Sequence, residues 1–144
     1  MNITIRQAAK DDIESICSID QITAGSHDRR EFVVRSVTSG DCWVADVDGK
    51  VVGYTVLDYS FYANGMIGML FIDPEYRRRG IGTKLVRHIE SLCKTEKLFT
   101  STNQSNLPMQ GLLNKLEYVP SGFIDNLDVG DPEIVYFKSI VKDK

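Results

Sequence analysis

Two glycines stand two residues apart inside an arginine-rich run, RRRGIGTKL, which covers residues 77–85. An apolar run precedes it and an amphipathic segment follows it, so the glycines lie where a strand would pass into a helix. Glycine lets the backbone turn sharply and approach a ligand without a Cβ in the way. A helix start offers unpaired N–H groups and the positive end of the helix dipole. The stretch therefore predicts a cradle for a phosphate group.

The segments around the cradle make this prediction more specific than a Gly-x-Gly pair alone. Residues 66–73, MIGMLFID, are apolar on both faces and predict a central strand that is buried on both sides. Residues 81–93 carry apolar side chains at helical spacing and predict an amphipathic helix. Two other phosphate-binding patterns are excluded, since GxxxxGK[ST] is absent and the third glycine of a dinucleotide fingerprint is missing near Leu85.

The rest of the chain alternates strand and helix signals. Strands are predicted over residues 2–7, 42–47, 50–62, 98–102, 118–124 and 133–141, and the Asp48-Gly49 pair predicts a hairpin between the second and third. Helices are predicted after Asp11 and Asp12, which we expect to cap the first of them, and over residues 23–39 and 107–116. This order predicts a mixed α/β sheet with helices packed against it.

Composition limits the class of protein and its partners. A chain of 144 residues fits a single domain over residues 1–144. A net charge of −3 argues against nucleic-acid binding through a wide basic surface, because the positive charge is concentrated at the arginine run. Three cysteines without CxxC spacing predict reduced thiols in a cytoplasmic protein, and we expect no bound metal. No run of 18 apolar residues occurs, so we expect no membrane span.

Arg77, Gly80 and Gly82 meet the pattern Q/R-x-x-G-x-G/A, and in their strand–turn–helix context they resemble the acetyl-CoA site of the GNAT family of N-acetyltransferases. In that family the backbone N–H groups of the pattern hold the pyrophosphate of acetyl-CoA. The resemblance covers nearly the whole chain and implies the GNAT acyl-CoA N-acyltransferase fold, a mixed, mostly antiparallel sheet of six to seven strands flanked by helices. The cofactor-binding residues that it implies are Phe71, Ile72, Arg77, Arg78, Arg79, Gly80, Ile81, Gly82, Thr83 and Asn106.

Asn106, Met109 and the pair Glu117-Tyr118 stand at the Asn, Ala and Gly-Phe positions of a second motif of the family, N-x-x-A-x-x-x-Y-x-x-x-G-F, so the match is partial. By this resemblance Asn106 would contact the pantetheine arm, and Phe71 and Ile72 would pair their backbone with it. The family's tyrosine, whose hydroxyl can protonate the departing CoA thiolate, is replaced by Leu113. The resemblance therefore leaves the general acid unassigned.

The resemblance implies acetyl transfer to a primary amine of a small molecule, peptide or protein, by direct attack in a ternary complex. The developing oxyanion would be stabilised by a backbone N–H near Phe71 or Ile72. An alkylamine with a pKa of ~10.4 must lose a proton before it attacks. Candidates for the base are Asp58, Tyr59 and Glu133, and water is an alternative.

An acidic stretch consists of Asp125, Asp128, Asp131 and Glu133, the last of which begins the final predicted strand. It would steer a cationic amine towards the acceptor site if it formed the rim, or it is an ordinary solvated loop. A non-catalytic module that binds acetyl-CoA or CoA as a regulatory ligand, or that binds a partner protein, is an alternative function, and Leu113 is the feature that keeps it open. Both a monomer and a homodimer are compatible with the sequence.

Overall fold

The computed structural model describes residues 1–20 and 27–140, and the side chain of His27 is outside this description. The described part of the chain contains seven strands and four helices. The strands are β1 (Ile3–Gln7), β2 (Cys42–Val47), β3 (Lys50–Phe61), β4 (Asn64–Ile72), β5 (Lys97–Asn103), β6 (Val119–Ile124) and β7 (Glu133–Ser139). The helices are α1 (Ile13–Ile19), α2 (His27–Thr38), α3 (Ile81–Leu92) and α4 (Leu107–Lys115), with short 3₁₀ turns at Lys10–Asp12 and Pro74–Tyr76.

All seven strands belong to one mixed sheet with the order β1-β2-β3-β4-β5-β7-β6. The pairs β1–β2, β2–β3, β5–β7 and β6–β7 are antiparallel, and β4–β5 is parallel. This sheet and its flanking helices confirm the predicted fold class. Residues 23–26 of the predicted second helix and residue 141 of the predicted last strand lie outside the described residues.

Residue contacts divide the chain into two compact units. The first unit comprises residues 1–57 and 69–89, and the second comprises residues 58–68 and 90–144. The first unit has two hydrophobic clusters. One cluster joins α1 and α2 to β2 and β3 and includes Ile16, Val33 and Tyr54. The other joins α3 to the opposite face of the sheet and includes Ile81 and Leu85.

The central strand β4 is less buried than the apolar run predicts. Within the first unit, Met69 and Phe71 pack against one cluster, whereas Leu70 and Ile72 pack against the other, so both faces are covered. These four side chains are nevertheless only partly buried, and the fully buried residues of the strand are Gly65 and Ile67. The parallel ladder with β5 covers only residues 65–67 of β4. The strand is therefore central and covered on both faces, as predicted, but residues 69–72 are only partly buried.

The second unit is built around β5, β7 and α4. Its buried side chains include Leu98, Leu113 and Tyr118. The hydroxyl of Tyr118 donates to Glu90 at 2.8 Å, and the ammonium group of Lys138 donates to the same carboxylate at 3.0 Å. The neighbouring strand β6 is exposed along its whole length.

The turns and caps follow the local sequence at most positions. Asp48 and Gly49 both have positive φ, 51° and 91°, as a tight hairpin turn requires. Asn106 caps α4 by accepting a hydrogen bond from the N–H of Met109 at 3.2 Å. Asp12 behaves differently from the prediction, because its carboxylate accepts from the N–H of Ala9 at 2.7 Å instead of capping α1.

Candidate active site

The loop after β4 is held in place by local hydrogen bonds. Asp73 donates its N–H to the carbonyl of Val52 at 2.8 Å, which ties the end of β4 to β3. Its carboxylate accepts from the N–H of Glu75 at 3.0 Å and so caps the 3₁₀ turn Pro74–Tyr76. Tyr76, at the end of this turn, packs against the cluster that contains Ile81. The loop therefore delivers the chain to the start of α3 in a fixed direction.

The glycine turn lies where the sequence predicts the phosphate cradle. Arg78 and Gly80 have φ values of 64° and 81°, in the left-handed region that favours glycine, and α3 begins at the next residue. The N–H of Lys84 donates to the carbonyl of Gly80 at 3.1 Å as the first hydrogen bond of the helix. The N–H groups of residues 81–83 consequently have no intrahelical acceptor. A Cβ at Gly80 would meet nothing within 4 Å, so the space beside the turn is open.

The three arginines of the run are exposed, and the first of them is engaged with β4. The Nε of Arg77 donates to the carbonyl of Ile72 at 3.1 Å, and its guanidinium carbon lies 5.5 Å from the centre of the Phe71 ring. The guanidinium carbon of Arg79 lies 5.1 Å from the centre of the Tyr76 ring. Among the described residues, none of the three arginines forms an ion pair with a carboxylate. The positive charge beside the cradle is therefore not neutralised by these residues.

At the end of β4 the backbone groups of two residues, Leu70 and Ile72, point away from β3. We call this side of the strand its outer edge. The carbonyl of Met69 accepts from Thr55 Oγ1 at 2.7 Å, and the carbonyl of Phe71 lies 3.0 Å from the position that a Cβ on Gly53 would take. Residues 69, 71 and 73 thus direct their backbone groups towards β3. Because successive residues of a strand face alternate edges, Leu70 and Ile72 direct theirs away from β3. The backbone groups of Ile72 therefore face away from β3 and those of Phe71 face towards it, whereas the sequence predicted the same role for both residues.

A buried polar network lies beneath this part of β4, and sequence reasoning missed it. Asp20, which is 0% exposed, accepts hydrogen bonds from the Tyr54 hydroxyl at 2.6 Å and from Arg29 at 3.1 Å. The same Arg29 nitrogen lies 3.0 Å from the sulfur of Met69, and the Tyr54 and Phe71 rings are 6.4 Å apart. Burial raises the pKa of Tyr54, so its hydroxyl stays protonated and donates. The network supports the strand that carries the outer edge.

The three candidate bases all lie in the second unit, and each has a hydrogen-bond partner. Asp58 accepts from the hydroxyl of Ser60 at 2.6 Å. The hydroxyl of Tyr59 accepts from the N–H of Lys94 at 3.0 Å. Glu133 accepts from the hydroxyl of Ser101 at 2.8 Å. None of the three is therefore assigned to proton transfer by its contacts.

The remaining predicted residues of the second unit have structural roles. Asn106 is exposed, and its side-chain oxygen caps α4. Leu113 is fully buried, so the position of the family's tyrosine faces the hydrophobic interior. Within the acidic stretch, Asp128 accepts from Asn103 at 2.9 Å and Asp131 accepts from the hydroxyl of Ser105 at 2.7 Å. Asp125 and Asp128 are exposed and Asp131 is half-buried, and these two hydrogen bonds fasten the stretch to the end of β5.

Two kinds of feature are absent from the described residues. The residues that the structure describes contain no group of three or more His, Cys, Asp or Glu side chains placed to hold a metal ion. Over residues 1–20 and 27–140, no helix combines the length and the apolar character that crossing a membrane requires.

Comparison with known proteins identifies the family. Residues 7–118 match the Acetyltransferase (GNAT) family, whose members use acetyl-CoA. An N-alpha-acetyltransferase of Saccharolobus solfataricus is 27% identical over 81% of this chain and 80% of its own length. A peptidyl-lysine N-acetyltransferase of Salmonella typhimurium is 31% identical over 71% of this chain and 66% of its own length. A GNAT acetyltransferase structure from Bacillus cereus covers 99% of this chain and 100% of its own, with 32% identity and a TM-score of 0.92.

The match of residues 7–118 covers more than half of the chain, and the related proteins transfer acetyl groups. These findings favour an enzyme over the non-catalytic module. The chain belongs to the GNAT family and is an acetyl-transferring enzyme.

Proposed function

We propose that residues 1–144 form one acetyltransferase domain that transfers the acetyl group of acetyl-CoA to the N-terminal α-amino group of a peptide or protein, by direct attack in a ternary complex. The observation that carries the proposal is the cradle at Gly80. It combines open space, unpaired first-turn N–H groups and arginines without carboxylate partners among the described residues. Such a site fits a pyrophosphate. The buried, free thiols of all three cysteines support a cytoplasmic location.

The loop and the first turn of α3 would hold the pyrophosphate. The backbone N–H groups of Ile81, Gly82 and Thr83 would donate hydrogen bonds to its oxygens. The guanidinium groups of Arg77, Arg78 and Arg79 would lower the electrostatic cost of bringing the anion to the loop. When bound, acetyl-CoA supplies the thioester carbonyl that an amine attacks.

The outer edge of β4 would hold the pantetheine arm. Leu70 and Ile72 direct their backbone groups to this edge, so we assign main-chain pairing with the arm to them. Phe71 would contribute through its ring, which lies against the Arg77 guanidinium. One N–H of the edge, that of Leu70 or Ile72, would donate to the thioester oxygen and favour the attack. The role of Asn106 towards the arm stays a proposal that rests on the resemblance alone.

Amine acidity decides between the two kinds of polypeptide acceptor. The two relatives act, by their names, on an α-amino group and on a peptidyl lysine. An α-amino group with a pKa near 7.7–8.0 is neutral in roughly one molecule in ten at pH 7, whereas a lysine with a pKa of ~10.4 is neutral in roughly one in 2,500. An α-amino acceptor therefore depends much less on a general base to remove its proton. It suits a chain in which no side chain is assigned to that task by its contacts.

The proton transfers have few candidate groups, and a pH profile of thiol release would test them. Asp58, Tyr59 and Glu133 remain our candidates for the base, together with water. Because Leu113 offers no hydroxyl and is fully buried, we infer that the CoA thiolate takes its proton from water. A thiol with a pKa near 8.5 needs little assistance to leave at neutral pH.

The test measures release of the CoA thiol with two peptides of the same length. One peptide has a free N-terminus and no lysine, and the other has a blocked N-terminus and a single lysine. We expect faster thiol release with the first peptide, and mass spectrometry should show one acetyl group on its N-terminus. Faster reaction of the lysine peptide would overturn the acceptor assignment, and no acetyl transfer to either peptide would count against a polypeptide acceptor.

Two variants connect the activity to the cradle. In Gly82→Trp the indole fills the space beside the first turn, so acetyl-CoA binding and thiol release should both be lost. Asn114→Trp places the same side chain at an exposed position of α4 and should keep both. Circular dichroism checks that each variant is folded. Unchanged acetyl-CoA affinity in folded Gly82→Trp would refute the cradle.

A further inference from the structure

Two cationic side chains from different parts of the first unit lie near the ring of Tyr76. The Nζ of Lys50, at the start of β3, lies 5.1 Å from the centre of the Tyr76 ring. The guanidinium carbon of Arg79 lies 5.1 Å from the same centre. The two charges are therefore no more than twice that distance apart, about 10 Å. The ring itself is anchored, since Tyr76 packs into the cluster beneath α3.

This pair of cations is available to an external anion. Lys50 and Arg79 are both exposed. In the described part of the chain, neither of them forms an ion pair with a carboxylate. Like charges at this separation repel each other, and a bound anion would remove that repulsion. The contact with the aromatic ring limits where each charged group can move, because cations are held over a ring face.

We propose that Lys50 and Arg79 bind the 3′-phosphate of coenzyme A, a second anion subsite distinct from the pyrophosphate cradle. The inference rests on the proposed function. Coenzyme A carries a phosphomonoester on its ribose in addition to the pyrophosphate, and such a group has a charge of about −1.5 to −2 at pH 7. The cradle offers mainly backbone N–H groups, whereas this subsite offers two side-chain cations. Arg79 directly precedes Gly80, so the two subsites are adjacent along the chain.

The subsite predicts that the enzyme distinguishes acetyl-CoA from 3′-dephospho-acetyl-CoA. Calorimetric titration of the wild-type protein should give roughly tenfold tighter binding of acetyl-CoA, as expected for charge-assisted contacts that are partly screened by solvent. Lys50→Gln and Arg79→Gln should each reduce this preference, and the double variant should abolish it. Affinity for the dephospho ligand should stay the same in Lys50→Gln, and in Arg79→Gln it should fall by less than the affinity for acetyl-CoA, because Arg79 also faces the pyrophosphate cradle. The preference should also weaken as salt is raised.

The control is Lys10→Gln, which also removes one exposed positive charge of the first unit. Lys10 follows the end of the β1–β2 ladder that lies away from Lys50. It should leave the preference intact. Equal wild-type affinity for the two ligands, or a preference that survives in the double variant, would overturn the subsite and leave the proposed cofactor standing. Equal losses for both ligands on Arg79→Gln would limit that side chain to the pyrophosphate and overturn its part in the subsite. If neither ligand binds the wild-type protein, the proposed function and the subsite both fail.

Discussion

Gly53 lies where β3 passes the end of β4, and replacing it by alanine tests how closely the two strands are fitted. An added Cβ would lie 2.9 Å from the Cδ1 of Ile72 and 3.0 Å from the carbonyl oxygen of Phe71. The Ile72 methyl group can rotate away, but the Phe71 oxygen belongs to the backbone of β4. The strand itself must therefore shift by a few tenths of an ångström to accept the methyl group.

Two opposing free-energy terms set the size of the effect. Overpacking of a fitted interior costs about 1–3 kcal/mol. Removing the extra backbone entropy of a strand glycine returns about 0.5–1 kcal/mol. The net expectation for Gly53→Ala is a loss of about 1–2 kcal/mol in the free energy of unfolding, or a Tm lower by about 3–6 °C for a chain of this size. Because the shift moves Ile72, acetyl-CoA affinity should also weaken, by roughly severalfold.

Gly111 provides the matched control. It is exposed on α4, and an added Cβ would meet nothing within 4 Å. Gly111→Ala should therefore raise the Tm by about 2–3 °C, since alanine is the better helix former by about 0.5–1 kcal/mol. Differential scanning calorimetry measures both variants, and titration with acetyl-CoA follows for Gly53→Ala. A Gly53→Ala protein that is as stable as wild type would refute the argument from backbone contact.

Two further predictions concern titratable groups. Hydrogen bonds from Arg6 lower the pKa of Asp12 and outweigh its burial, so the carboxylate stabilises the fold above its ordinary pKa of ~3.9 and this contribution is lost as pH falls through the lowered value. In Asp12→Asn the free energy of unfolding should fall by about 1 kcal/mol at pH 7, a modest loss because Arg6 is partly exposed, and it should depend less steeply on pH in acid. An unchanged pH dependence in acid would contradict the ion pair. Burial raises the pKa of Cys42 to about 12, so iodoacetamide at pH 8 should modify it only after denaturation, and rapid labelling of the native thiol would be incompatible with its burial.

Much of the fold follows from local patterns. The hairpin at Asp48 and Gly49, the cap at Asn106 and the helix from Ile81 depend on residues within a few positions of each other. The burial of β4 does not. The sequence shows only that the strand is apolar, whereas its exposure depends on a pairing with β5 that covers residues 65–67. Pairing between strands some 30 residues apart leaves no signal in either strand alone.

The candidate site likewise contains some features that the sequence predicts and others that it does not. The glycine turn was predicted because its chemistry lies within six consecutive residues. The approach of Lys50 to Tyr76 joins positions 26 residues apart and could not be read from either segment. The distinction between Phe71 and Ile72 depends on which residues of β4 face β3, and a shift of register by one residue would reverse it.

Arg77 links the end of β4 to the glycine turn that precedes α3. Its Nε donates to the carbonyl of Ile72, and its guanidinium group covers the ring of Phe71, so part of its capacity is used within the protein. The family pattern accepts glutamine or arginine at this position. Both side chains carry an N–H donor at the end of a flexible stem, and this hydrogen bond requires only such a donor. The first residue of the pattern therefore serves mainly to fix the end of β4 relative to the turn. We therefore propose that anion binding depends mainly on the backbone N–H groups of α3 and on the arginines that follow Arg77.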